Sequence, residues 1–343
     1  MNFASDNAYG ALPQVMDALV RANQGAARPY GDDSITRGLT QSFSRLFGRA
    51  VAVFPAVTGT AANALALATL TPPHGAILCH AESHIAEHEC GAPEFYAHSA
   101  KLVGLQGGDG KLTVETITKA LDAIPRGFVH TNQPFCVSLS QPTELGTLYS
   151  LAEIAAIAAL CHDRGLKLHL DGARFGNALA ALDATPAQAT WQAGVDALSF
   201  GASKGGTLGA EAVLFFNPAD AGDFEYRRKK GGHLVSKMRF VSAQLEAYVE
   251  DGLWLKAAAR ANALAARLAD GLGAIDGVRI TVPVQTNMVF ADMPVALAQR
   301  LRDAGAVFYD WKPPAQGRVL TRLATSFATP EEDVAKFLKI AAA

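Results

Sequence analysis

Between about residues 50 and 216, short apolar runs alternate with Ala/Leu-rich runs of helical length. "AVAVFPAV" (50–57) reads as a strand and "GTAANALALATL" (59–70) as a helix; "GAILCH" (75–80) and "GFVHTN" (127–132) read as further strands. The helix "YSLAEIAAIAALCHDRG" (149–165) ends on Gly165, then the strand "LKLHLD" (166–171) precedes the helix "FGNALAAL" (175–182). "VDALSFGAS" (195–203) and "AEAVLFF" (210–216) close the series as strands. This alternation predicts a mainly parallel sheet covered by helices on both faces. It also says where to look for chemistry, because open α/β sheets bind ligands beyond the carboxyl ends of their strands.

Past Asn217 the pattern changes. Residues 241–275 are nearly all helix formers and predict one or two long helices. "VRITVP" (278–283), "NMVFADM" (287–293) and "VLTRLATS" (319–326) then read as strands of a second, antiparallel sheet. Thr329, Pro330 and the acids after them predict a helix start with Thr as cap. The expected division is 1–250, an N-terminal segment with the large domain, and 251–343, a smaller C-terminal α/β domain.

Half of the 343 residues are apolar, enough for a large core. Thirty basic against thirty-two acidic side chains give a net charge of -2, without the basic field that nucleic acid demands. No apolar stretch approaches the ~20 residues that span a bilayer. "MNFASDNAYG" has no apolar core of a signal peptide, and Cys79, Cys90, Cys136 and Cys161 form no C-x-x-C pair. The expectation is a cytoplasmic protein with neither membrane nor nucleic-acid partner.

Four places after strands stand out. Thr58, Gly59 and Thr60 open a helix; the hydroxyls and helix N-terminus suit a phosphate, although a Thr at this place more often serves as a plain N-cap. Asp171 ends an apolar strand, where a carboxylate needs a cation or a cap; Arg174 or a protonated ring nitrogen could serve. Lys204 lies in the small-residue turn "GASKGG", with room for a bulky group at its tip, or simply in solvent. Arg322, in the second sheet, can grip a carboxylate bidentately or sit on the surface. Taken in chain order, a phosphate cradle, a strand-end Asp, a lysine and a late Arg describe a pyridoxal phosphate enzyme.

The chain resembles the low-specificity L-threonine aldolases, or β-hydroxy-amino-acid aldolases, including phenylserine aldolase. The matching motifs are "FASDN" (3–7), "YGDD" (30–33), "TGTAAN" (58–63), "SHIAEHECGAP" (83–93), "LHLDGARF" (168–175), "GASKGG" (201–206) and "TRLATS" (321–326). The resemblance implies fold type I of the pyridoxal phosphate enzymes, the aspartate aminotransferase-like architecture. It also implies homodimers or homotetramers with active sites at the subunit interface. It places Lys204 as the cofactor's covalent anchor, Asp171 at the ring nitrogen, Gly59 and Thr60 at the phosphate, and His84 on the ring face. Ser5, Arg174 and Arg322 match positions that bind the amino-acid carboxylate. Tyr30 matches a loop near an active site, and Arg228 a basic segment that reaches a partner's phosphate. One position departs: Glu144 stands where many members carry a histidine that touches the substrate hydroxyl. The base therefore stays open among His84, Glu89, Glu144 and a water.

Two rival readings are another pyridoxal phosphate lyase or aminotransferase, and a cofactor-free scaffold. A third is a metal-dependent hydrolase using His80, His84 and His88 of "HAESHIAEHEC" (80–90). That stretch lacks H-E-x-x-H, and His80 ends a strand, so the three should not share a helical face. The expectation is no metal, with His84 at a loop-to-helix turn and Glu89 as its proton partner.

Overall fold

The computed structural model describes residues 1–343. Its larger sheet has seven strands: β1 (Ala52–Ala56), β2 (Gly75–His80), β3 (Lys101–Leu105), β4 (Gln133–Ser140), β5 (Lys167–Gly172), β6 (Ala197–Phe200) and β7 (Glu211–Phe215), in spatial order β1-β7-β6-β5-β4-β2-β3. Neighbours from β3 to β6 pair in parallel, and β7 runs antiparallel to both β6 and β1. The central strands β5, β6 and β7 are buried almost throughout, which is why they read as continuous apolar runs. Helix Gly59–Leu70 is apolar on all sides and buries most of its residues beneath the sheet; Asn63 is the polar exception.

Two differences from the sequence reading concern the sheet edge. "GFVHTN" is not a strand: Gly127 adopts φ +73° and Val129 is 92 % exposed. The strand is the following segment, Gln133–Ser140, and β3 was not foreseen. Pro134 disguised β4. It removes a ladder donor, yet it sits near the strand start, where the pairing with β2 shifts register.

The second sheet holds β8 (Arg279–Ile280), β9 (Met288–Pro294), β10 (Tyr309–Asp310) and β11 (Arg318–Ala324) in antiparallel order β10-β11-β9-β8. The helical stretch expected over 241–275 divides into Arg239–Val249 and Leu253–Gly273 at a turn where Asp251 and Gly252 take positive φ. The last helix, Glu331–Ala342, is capped by Pro330 rather than Thr329; the Thr329 hydroxyl instead accepts from Ser326 N–H. The N-terminus crosses to this sheet. Phe3 is fully buried in its core and exchanges backbone bonds with Val307 and Ala324. The next residues, 5–7, are thereby delivered to the seam between the two sheets.

Candidate active site

Beyond the carboxyl ends of β2, β5 and β6 lies a cavity of about 350 Å³, whose lining includes Thr58, Gly59, Thr60, Asn63, His84, Glu89, Asp171, Lys204 and Glu211. The sheet order explains this convergence, since parallel strands end together and their following loops share one rim.

The Lys204 turn is tied to the sheet by its neighbours. Gly201 N–H donates to Gly172 O, and Gly205 N–H to Ala202 O. A Cβ at Gly205 would collide with the Tyr248 hydroxyl, so glycine is required beside the lysine. Glu211 is buried at the start of β7 and accepts from Ala202 N–H at 2.7 Å. Burial pushes its carboxyl up, against donors from Ser203 and Ala202 and the Lys204 charge.

Opposite stands a polar chain. Asp171 accepts from its own loop, Ala173 N–H at 3.0 Å on Oδ1, and from Asn63 Nδ2 at 2.9 Å on Oδ2. Asn63 Nδ2 also donates to Glu89 Oε1 at 2.9 Å, and the same oxygen accepts from His84 Nδ1 at 2.8 Å. The bond to Glu89 raises the His84 pKa, aided by the charges of Asp171 and Glu144 and opposed by burial. Burial raises Glu89 as well. One hydrogen bond therefore joins the two groups at the cavity wall.

The helix N-terminus has a dual character. Thr58 is the N-cap, its Oγ1 accepting from Ala61 N–H at 3.1 Å, so that reading of Thr58 holds. Gly59 and Thr60 remain at the cavity wall, and the space a Cβ would take at Gly59 is open for 4 Å. An anion can approach the backbone there.

The seam between the sheets holds two arginines. Arg174 is not paired with Asp171. Its Nε and Nη2 donate to Asp6 Oδ2 and Oδ1 at 2.6 and 3.0 Å. Asp6 also accepts from Asn287 Nδ2 at 3.0 Å. Burial alone would raise the Asp6 carboxyl; the charge and bonds of Arg174, with help from Lys204 and Asn287, hold it below its usual range. Ser5 caps the short turn Asp6–Ala8 by accepting from Asn7 N–H. Arg322 lies flanked by Tyr309 and Trp311, 5.5 Å from each ring, and gives one bond to Ala4 O. Its Nε is buried without a partner. Burial, and then the like charge of Arg174, lower its pKa.

Not every expected residue enters the cavity. Tyr30 is about half exposed with Lys229 over its ring at 4.5 Å. Arg228 is buried in its own chain, donating to Pro55 O at 3.3 Å and to Glu225 at 2.8 Å, beside the Phe54 ring. Glu144 occupies an adjoining recess with Ser83, Ser138 and Ser140. The histidine stripe breaks up as well. His80 Nε2 bonds to Gly107 O, and its Nδ1 accepts from Glu82 N–H, so neither nitrogen is free to meet His84 and His88.

Three residues escaped the sequence reading: Asp6, Asn63 and Glu211. Each carried a signal. Asn63 interrupts an apolar helix, Glu211 opens an apolar strand, and Asp6 lies inside a motif whose serine drew attention first.

The fold and the lysine-bearing, carboxylate-lined cavity define a fold type I enzyme, an architecture shared with an aspartate aminotransferase from Rhodobacter sphaeroides (TM-score 0.71, 19 % identity, 100 % and 92 % of the two chains covered). Within that class the chain belongs to the beta-eliminating lyase family, which it matches over residues 2–295. It is 44 % identical over 307 residues to a low specificity L-threonine aldolase of Pseudomonas sp. (strain NCIMB 10558), covering 90 % of this chain and 88 % of that one. The structure of Leishmania major threonine aldolase superposes with a TM-score of 0.93 at 31 % identity, over 99 % and 98 % of the two chains.

Proposed function

We propose that this protein is a pyridoxal phosphate-dependent aldehyde-lyase. It cleaves L-threonine, L-allo-threonine or related β-hydroxy-α-amino acids such as phenylserine to glycine and an aldehyde. The observation that carries this reading is the single cavity in which Lys204 faces Asp171, with a helix N-terminus at one end and His84 at the wall. The likeness to L-threonine aldolases supports the substrate class.

The residues present fit the cofactor. Lys204 would carry it, Gly59 and Thr60 with the helix N-terminus would hold its phosphate, and Asp171 would face its protonated ring nitrogen. Asn63 Oδ1 and Glu89 Oε2, buried without partners, mark the same wall as built for a polar occupant. When bound, pyridoxal phosphate supplies a conjugated ring that takes up the electron pair released as the Cα–Cβ bond breaks.

The chain's own groups position the reaction. Arg322 brings an unsatisfied cationic edge to the substrate carboxylate. Arg174, held by Asp6, carries its charge near Arg322, and Ser5 lies next to Asp6. At His84, Nδ1 is committed to Glu89, so Nε2 is the nitrogen that takes the proton of the β-hydroxyl. Glu89 balances the imidazolium that results. Glu144 is the second candidate, because its charge acts on His84, Arg174 and Arg322 together.

We further infer a homodimer or homotetramer with sites at the interface. The exposed Leu208, which lines the cavity, and the exposed Tyr30 support it. Four free cysteines, three of them buried, suit a reducing cytoplasm. No helix is long and apolar enough to cross a membrane. The domain division near residue 250 is supported by the helix break at Glu250–Gly252.

The test is aldehyde release from L-threonine, L-allo-threonine and phenylserine, measured beside keto-acid-dependent amine transfer. Aldehyde and glycine in equal amounts are expected, and amine transfer without aldehyde would favour an aminotransferase. Lys204→Ala is expected to lose the visible absorption of the lysine-bound cofactor. Its retention would overturn the assignment of Lys204.

A further inference from the structure

Asn63 is the one polar side chain in the buried stretch of helix Gly59–Leu70. A buried amide is costly unless its groups are bonded, so packing alone favours an apolar residue there. Both bonds from its Nδ2 go to carboxylates, Glu89 and Asp171, each at 2.9 Å. Glu89 follows β2 and Asp171 ends β5, and β4 lies between those strands. The helix beneath thus holds together, through one nitrogen atom, two acids that the sheet delivers from separate places.

We propose that Asn63 is a positioning residue that joins His84, Glu89 and Asp171 into one proton-sharing unit, so that the charge at Asp171 sets the protonation of the histidine. Two carboxylates bonded to the same nitrogen repel when both are ionised, and groups so close titrate as a set. One proton on the His84–Glu89 pair relieves that repulsion. A proton gained or lost opposite Asp171 is then felt at His84, through the chain His84 Nδ1–Glu89 Oε1–Asn63 Nδ2–Asp171 Oδ2. The other charged or titratable groups near this unit are Arg174 and His169 beside Asp171, His88 against the His84 ring, Glu144 from the adjoining recess, and Lys204 and Glu211 from the cavity lining. None of them bridges the two acids. The histidine that handles the substrate proton and the carboxylate that steadies the ring nitrogen therefore act as one group. This inference rests on the pyridoxal phosphate reading.

The test is a double-substitution cycle on the holoenzyme, read by pH titration of the visible absorption of the lysine-bound cofactor. Glu89→Gln in the otherwise unchanged chain is expected to move the titration midpoint by about 1 pH unit, the scale at which coupled sites cease to titrate separately. In an Asn63→Ala background the same substitution is expected to move it by less than half as much. Asn63→Ser, whose single hydroxyl hydrogen can serve only one acid, is the second background if the alanine variant does not fold. Equal midpoint shifts with and without Asn63 would overturn the proposal, even if Asn63→Ala lowered kcat or melting temperature. Absence of any lysine-bound absorption in the unsubstituted protein would instead overturn the cofactor reading, so the two failures are distinguishable.

Discussion

Arg174 and Arg322 border the same seam and are built in opposite ways. Arg174 leaves the large sheet already neutralised, gripped side-on by buried Asp6. Arg322 comes from the second sheet with a buried Nε that has no partner and aromatic rings on its flanks. A buried ion pair and a buried orphan donor are different devices. The first fixes geometry, because removing either member leaves an uncompensated charge. The second leaves a donor already desolvated, which the proposed carboxylate contact would use. The comparison teaches that two arginines matched to one proposed role need not be built alike: Arg174 is already paired with Asp6, and Arg322 keeps a donor unpaired.

The largest effect that could break this contrast is at Asp6. Asp6→Ala should cost about 3–5 kcal/mol of stability, the scale for breaking a buried pair. Denaturant unfolding measures it; a loss near zero would show that Arg174 is not held as described. Arg322→Ala should leave stability nearly unchanged and raise KM. Loss of charge-assisted bonds of about 1.5–3 kcal/mol corresponds to roughly 10- to 150-fold. Steady-state kinetics with L-threonine tests it, and an unchanged KM would return Arg322 to the structural class.

Acid sharpens the same contrast. Asp6 is held below the usual carboxylate range, so its contribution to stability is full above its unfolded value of about 4. It is lost as pH falls through the depressed folded value. Buried His169, between Ser138 and Ser199, acts in the same direction over a higher window. Burial lowers its pKa to about 4, so stability begins to fall below about pH 6.5 and is lost down to that value. Melting temperature against pH should therefore decline below 6.5, and His169→Gln should flatten the upper part of that decline. The smallest expected effect is at Glu144, which borders the seam without joining either device. Glu144→Gln should change kcat or the ratio of rates on threonine and allo-threonine by a few-fold; no change in either would make it a bystander.

What the sequence determined was whatever short-range pattern controls. The alternation of strand and helix set the parallel sheet, and the residues just past strand ends set the cavity, because those loops must share one rim. Lys204, Asp171, His84 and the Thr58–Thr60 turn were legible for that reason. The strand Gln133–Ser140 was not, because Pro134 argues locally against a strand and only its place beside β2 tolerates it. Tertiary structure alone decided who meets whom. Asp6 reaches Arg174 across 168 residues, and Asn63 reaches Asp171 across 108. Spacing along the chain carries no trace of such pairs: burial makes an unpaired charge or amide costly, and the fold places the group that meets it.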